Sequence, residues 1–170
     1  MLEVIKNWVN ICVKEGDKIL LLNRQHDDFP GWIQPGGKVN TSESFFEAAV
    51  RELKEETGLT ALNLQLKGIS GFTNPDKPER KGISGFTNPD KPERYVYYDF
   101  LCEDFEGKLL TESREGLPQW HAIADLDKLD MQEDIRQRLP LYWRQGSFER
   151  LHYWSDKEKK VVKTITHLYD

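Results

Sequence analysis

The chain has 170 residues, 38% of them hydrophobic and 31% charged, with a formal net charge of -5. That length and balance fit one globular domain spanning residues 1–170 and exclude a disordered or fibrous chain. The acidic balance argues against a protein that grips nucleic acid through broad phosphate contacts. An acidic protein that handles a phosphate-rich ligand needs local compensation, most simply a bound divalent cation.

Two apolar, β-prone runs come first, Trp8 to Val13 and Lys18 to Leu22, with Glu15-Gly16-Asp17 between them as a hairpin turn. Gln25 to Gly37 is rich in Asp, Pro and Gly and reads as a loop. From Ser44 to Thr57 there is neither Gly nor Pro, and Phe45, Ala48, Ala49 and Leu53 recur at helical spacing. Thr41 or Ser42 is expected to cap this helix, with Glu43 in its first turn and Gly58 ending it. Leu62 to Leu66, Tyr95 to Cys102 and Gln119 to Ala122 read as strands. Asp125 to Leu129 and Asp134 to Arg144 read as short helices, and Phe148 to Trp154 with Val161 to Leu168 as a closing hairpin. Irregular alternation of strands and helices predicts an α/β protein with a mixed sheet. Cys12 and Cys102 each sit in an apolar run and are expected to be buried, reduced thiols. Met1 to Asn7 shows no basic region leading into an apolar stretch, and no run approaches the ~20 apolar residues of a membrane span. A cytoplasmic protein is the expectation.

Residues 67–80 (Lys-Gly-Ile-Ser-Gly-Phe-Thr-Asn-Pro-Asp-Lys-Pro-Glu-Arg) are followed at once by the same fourteen residues, 81–94. Two copies make no solenoid. Perfect identity marks a recent or engineered duplication, and the Gly-, Pro- and Asn-rich unit reads as connecting loop. One copy is expected to do the original job while the other bulges out. An extra strand or a dimer contact is the alternative, so a homodimer stays open.

The chemistry concentrates in Gly37-Lys-Val-Asn-Thr-Ser-Glu43, followed seven residues later by Arg51-Glu52-Leu53-Lys54-Glu55-Glu56-Thr57-Gly58-Leu59. A helix advances 100° per residue, so Glu52, Glu55 and Glu56 share one face, with Ala49 and Leu53 on the other. Three carboxylates on one stripe repel one another by a few tenths of a kcal/mol per pair. A solvated acidic face would tolerate that repulsion. A hard divalent cation with oxygen ligands would remove it, and Mg²⁺ characteristically bridges a few carboxylates and substrate phosphates.

Residues 37–59 resemble the Nudix box: Gly, five residues, Glu, seven residues, Arg-Glu, an aliphatic, one residue, Glu-Glu, one residue, Gly, an aliphatic. All nine defined positions are filled, a match that chance would give in well under about one chain in a million. The resemblance implies a Nudix-type α/β/α sandwich and hydrolysis of a nucleoside diphosphate-X linkage with Mg²⁺ or Mn²⁺. It implies that Glu52, Glu55 and Glu56 are ligands or, for one of them, the base toward water, and that the Gly37 carbonyl is a further ligand. Glu43 and Arg51 would tie the loop to the helix. A fourth carboxylate from a distant loop would be Glu115, with Glu112 second. Arg24, Trp32 and Lys38 are further candidates for the substrate.

Beyond the box the chain resembles the MutT branch, which removes oxidised purine nucleotides such as 8-oxo-dGTP. Trp32-Ile33-Gln34-Pro35-Gly36-Gly37-Lys38, the stretch from Trp120 to Met131, and the terminal hairpin carry that likeness. Ile33 stands where oxidised-purine triphosphatases have Asn, and Gln132, Glu133 and Asp134 where they have Trp and two Asp. Asp134 can still bond a purine edge. Within the class, the alternatives are an RNA 5′-end pyrophosphohydrolase and a broad house-cleaning triphosphatase. Trp8, Trp32, Trp120, Trp143 and Trp154 could each stack on a base, although packing is the commoner use. The implied partner is a nucleotide, with no stable nucleic-acid partner and no membrane. The rival from another class is a Nudix-fold binding module without hydrolysis, which would be expected to have lost box carboxylates; here all are present.

Overall fold

A computed structural model describes residues 4–25, 30–73, 93–111, 113, 115–155, 157–158 and 160–170. The strands are β1 (Val4–Glu15), β2 (Lys18–Arg24), β3 (Gly31–Ile33), β4 (Gly36–Lys38), β5 (Leu59–Thr73), β6 (Glu93–Gly107), β7 (Pro118–Ala122), β8 (Ser147–Ser155) and β9 (Lys160–Tyr169). The helices are α1 (Phe45–Thr57) and α2 (Glu133–Trp143), with a 3₁₀ turn at Ile123–Lys128.

The strands run in the order β3-β2-β1-β6-β5-β8-β9, with β4 beside β1 and β7 beside β2. β1 pairs with β6 in parallel, as does β5 with β8, while β5–β6 and β8–β9 are antiparallel. Alternation along the strands sends side chains to two cores. Val9, Ile11, Val13, Leu20 and Phe100 pack with Ala48, Ala49 and Leu53 of α1. Cys12, Ile19, Leu21 and Leu101 pack with Ile135, Leu139 and Tyr142 of α2. One helix on each face makes the α/β/α sandwich with a mixed sheet. Both cysteines are free and buried.

α1 starts one residue after its cap. Ser44 Oγ accepts from Glu47 N–H at 3.2 Å, and the Glu47 carboxylate accepts from Ser44 N–H at 2.8 Å. This capping box replaces the cap expected at Thr41 or Ser42 and leaves Glu43 before the helix rather than in its first turn. Gly58 ends the helix in the left-handed region at φ 82°.

Two further expectations change. The Gln25–Gly37 loop contains β3 and the first two residues of β4, three-residue strands whose pairing runs through backbone that Gly and Pro composition hides. The duplicated unit is not all connection: Lys67–Thr73 of the first copy is the end of β5, and Glu93 and Arg94 of the second copy open β6. Gly68 belongs in that strand because a Cβ there would meet the Phe148 ring at 2.6 Å. Residues 74–92 lie outside the described residues.

Candidate active site

The turn that enters α1 comes first. Arg51 Nε and Nη2 donate to the two oxygens of Glu43 at 2.9 and 2.6 Å, and Nη2 also reaches the Lys38 carbonyl at 3.0 Å. The guanidinium hydrogen bonds pull the Glu43 carboxyl down to about 2. The same arginine donates from Nη1 to Glu52 at 2.8 Å and to Glu55 at 3.2 Å. One cation therefore ties the loop after β4 to the acidic face of α1.

Glu52 lies directly over Gly37. A Cβ on Gly37 would overlap the Glu52 carboxyl carbon and one oxygen, and the more distant oxygen would be only 2.5 Å away. Burial raises the pKa of Glu52, while its bond to Arg51 lowers it. Glu56 is 7% exposed, and one of its oxygens accepts from the Gly36 N–H at 2.9 Å. Burial pushes its carboxyl up to about 8; the Gly36 bond and Arg24 pull down, while Glu52 and Glu115 repel. The charges of Arg24 at the end of β2 and Glu115 in the loop before β7 thus reach Glu56, and their own atoms are 3.8 Å apart.

Gly36-Gly37, Glu52 and Glu56 thus come together on the α1 face, within electrostatic reach of Arg24 and Glu115, with Glu55 at the open side. Glu112 lies outside the described residues. The Lys38 side chain is exposed. Trp32 is elsewhere: its ring meets His121 edge-on at 4.2 Å beside the α2 core. Asp134 stands in the first turn of α2, where its charge acts on Tyr97, Arg138, Arg150 and His152. Trp8 packs with Tyr95 and Tyr97, Trp120 stacks on Phe105, and Trp143 borders the α2 core. The Trp154 side chain lies outside the described residues. The Gly36 N–H was not among the residues singled out from sequence; its signal was the Gly-Gly pair opening the box.

The donor set is hard oxygen throughout, which suits Mg²⁺ or Mn²⁺. Glu56 is buried and repelled by two further carboxylates, a charge imbalance that a divalent cation would relieve. Among the described residues no three acidic, His or Cys side chains form a ready-made cage. Glu52 and Glu55 instead share the Arg51 guanidinium, which supplies the positive charge between them.

The profile of the NUDIX domain matches residues 6–142. An uncharacterized Nudix hydrolase of Bacillus subtilis, YvcI, is 31% identical over 127 residues, covering 75% of this chain and 72% of that one. An ADP-ribose pyrophosphatase of Methanocaldococcus jannaschii is 41% identical over 73 residues, 42% of each chain. A putative 8-oxo-dGTP diphosphatase of Bacillus subtilis is 51% identical over 51 residues, 30% of this chain and 33% of that one. Among solved structures, a MutT protein from Bacillus halodurans superposes with a TM-score of 0.76 at 23% identity, covering 95% of this chain and 97% of the other, a likeness of fold. With a filled box, a matching profile over most of its length and a relative aligned over three quarters of it, the chain belongs to the Nudix hydrolases, enzymes acting on phosphorus-containing anhydrides.

Proposed function

We propose that the protein is a nucleoside triphosphate pyrophosphohydrolase of the MutT type, acting on oxidised purine nucleotides such as 8-oxo-dGTP. The observation that carries the hydrolytic part is the meeting of Glu52 and Glu56 on the Gly36–Gly37 backbone, with the charges of Arg24 and Glu115 acting on Glu56. The oxidised-purine part draws support from the MutT likeness of fold and the putative 8-oxo-dGTP diphosphatase relative. ADP-ribose is the competing substrate, favoured by the archaeal relative.

Glu52, Glu55, Glu56, Glu115 and the Gly37 carbonyl would hold the ion. Bound Mg²⁺ or Mn²⁺ supplies neutralisation of the diphosphate oxygens and a lower pKa for water. The chain's own part is placement. The Gly36 N–H fixes one oxygen of Glu56, so this carboxylate cannot swing away. Arg51 holds Glu52 and Glu55 at a fixed spacing on the helix. Arg24 adds positive charge where a phosphate oxygen develops negative charge. One carboxylate takes the proton of the attacking water as the phosphoanhydride P–O bond breaks, and diphosphate leaves with the bond's electrons.

A hydrolysis panel of dGTP, 8-oxo-dGTP, ADP-ribose, dinucleoside polyphosphates and triphosphorylated RNA, with excess Mg²⁺ and with EDTA, tests this. EDTA-sensitive diphosphate release from 8-oxo-dGTP, well above dGTP, is the expected result. Preferential cleavage of another member replaces the substrate. Folded protein that cleaves none of them refutes the proposal.

A further inference from the structure

The α2 face of the sheet, opposite the acidic helix α1, holds a buried polar network. Asp99 on β6 is fully buried, and its Oδ1 accepts from Asn10 Nδ2 at 2.9 Å and from the Tyr142 hydroxyl at 2.6 Å. Tyr142 in turn accepts from Gln34 Nε2 at 2.8 Å. Arg138 lies 3.8 Å from Asp99 and donates to Gln34 Oε1 at 3.4 Å. Two residues of α2 therefore grip both ends of the Gln34 amide.

Both arms of this network end on one piece of backbone. Gln34 leads into Pro35-Gly36-Gly37. Asn10 is the β1 residue paired with Gly36, and the next residue, Ile11, donates its N–H to the Pro35 carbonyl at 2.8 Å. Gly36 is the donor to Glu56, and Gly37 is the surface under Glu52. We propose that Asp99 is a positioning residue: through Tyr142 and Gln34 on one flank, and Asn10 on the other, it fixes the Gly36–Gly37 backbone and with it the Glu52 and Glu56 carboxylates on the opposite face of the sheet.

The inference rests on the hydrolase reading above. Stability alone does not account for the network, because a well-packed apolar replacement of a buried ion pair is often neutral or stabilising. An apolar set could not fix the direction of the Gln34 amide. Loss of a partner that orients ligands typically costs about 10- to 100-fold in metal affinity or activity.

Tyr142→Phe removes one hydroxyl and keeps the ring against Phe148; Asp99→Asn is the second variant. On the full chain, three readouts decide: hydrogen exchange of the Gly36 amide, the Mn²⁺ dissociation constant by EPR, and kcat and KM for 8-oxo-dGTP. The first two stand without turnover. Expected are faster exchange at Gly36 with the α1 amides unchanged, Mn²⁺ binding weaker by about tenfold, and kcat lower by a similar factor at KM within twofold. Wild-type Gly36 exchange and Mn²⁺ affinity in either folded variant overturn the proposal while leaving the hydrolase reading intact. Exchange accelerated uniformly along the chain overturns it too, as plain destabilisation. Wild-type protein that neither binds Mn²⁺ nor cleaves any anhydride overturns both.

Discussion

Replacing Gly37 by alanine should abolish most activity while leaving the fold in place. The added Cβ would overlap the Glu52 carboxyl, with even the farther oxygen at 2.5 Å, whereas relaxed contacts need about 3.5 Å. Glu52 must therefore retreat by roughly 1 Å or more, a displacement that can cost about 100-fold in rate, or about 2.7 kcal/mol of barrier. The stability side nearly cancels. Gly37 is not among the glycines with positive φ, so alanine strains no backbone there and gains about 0.4–1 kcal/mol by restricting the unfolded chain. Against this stands the weakened, partly exposed Arg51–Glu52 pair, worth about 0.2–1 kcal/mol. The melting temperature should move by less than about 4 °C. Steady-state kinetics with excess Mg²⁺ and calorimetry measure the two quantities side by side, with Glu52→Gln as the reference for a site without that carboxylate. Folded Gly37→Ala protein with wild-type kcat would show that the place of the Glu52 carboxylate does not matter. Gly36→Ala makes the contrast: its Cβ would overlap the Val9 carbonyl, which is backbone and cannot step aside, so this variant should lose stability first.

Removing one copy of the repeat is the next test. It shortens the connection between Thr73 and Glu93 from nineteen residues to five, Asn-Pro-Asp-Lys-Pro, with every described residue retained. Loop closure then favours the folded state by about 1 kcal/mol, read as a higher denaturant midpoint; a lost fold or a lost dimer would refute it. Ser44→Ala removes the Oγ half of the capping box while leaving the Ser44 N–H bond to Glu47, and should destabilise by about 1 kcal/mol in the same assay. His152 provides a pH test. Burial lowers its pKa to about 4, as do Arg150 and Arg138, against Asp134. The unfolded chain then binds the extra proton between about pH 6.5 and 4, so stability falls as pH falls through that window, by roughly 2–3 kcal/mol. His152→Asn should flatten the dependence of the urea midpoint on pH, and an equal slope in both proteins would exclude His152 as its source.

The acidic face of α1 could be read from sequence because helical spacing alone puts Glu52, Glu55 and Glu56 together. Its cap was misplaced because Thr41, Ser42 and Ser44 all suit a cap. Only the Glu three residues after Ser44 completes the box, while Glu43 is taken by Asn40 N–H and Arg51. β3 and β4 escaped notice because three residues carry no period, and their content is backbone pairing with β1 and β2. The strand half of the repeat escaped for a related reason: Gly68 and Gly71 look like loop until Phe148 is seen lying against Gly68. Glu56 feels the charge of Arg24 across the fold, not along a helix, so no spacing rule connects them.

Parallel pairing of β1 with β6 joins Asn10 to Asp99, residues 89 apart. Contacts this remote form late, since closing the intervening chain comes before any reward from the pairing. The fourteen repeated residues raise that closure cost by only about 0.2 kcal/mol, less than a twofold change in rate. The slow step of folding is thus set by the topology of the sheet centre, and the enlarged chain should refold at nearly the speed of the shortened one. Until β6 arrives, β1 has an unpaired edge, so dilute refolding should recover more native protein than concentrated refolding.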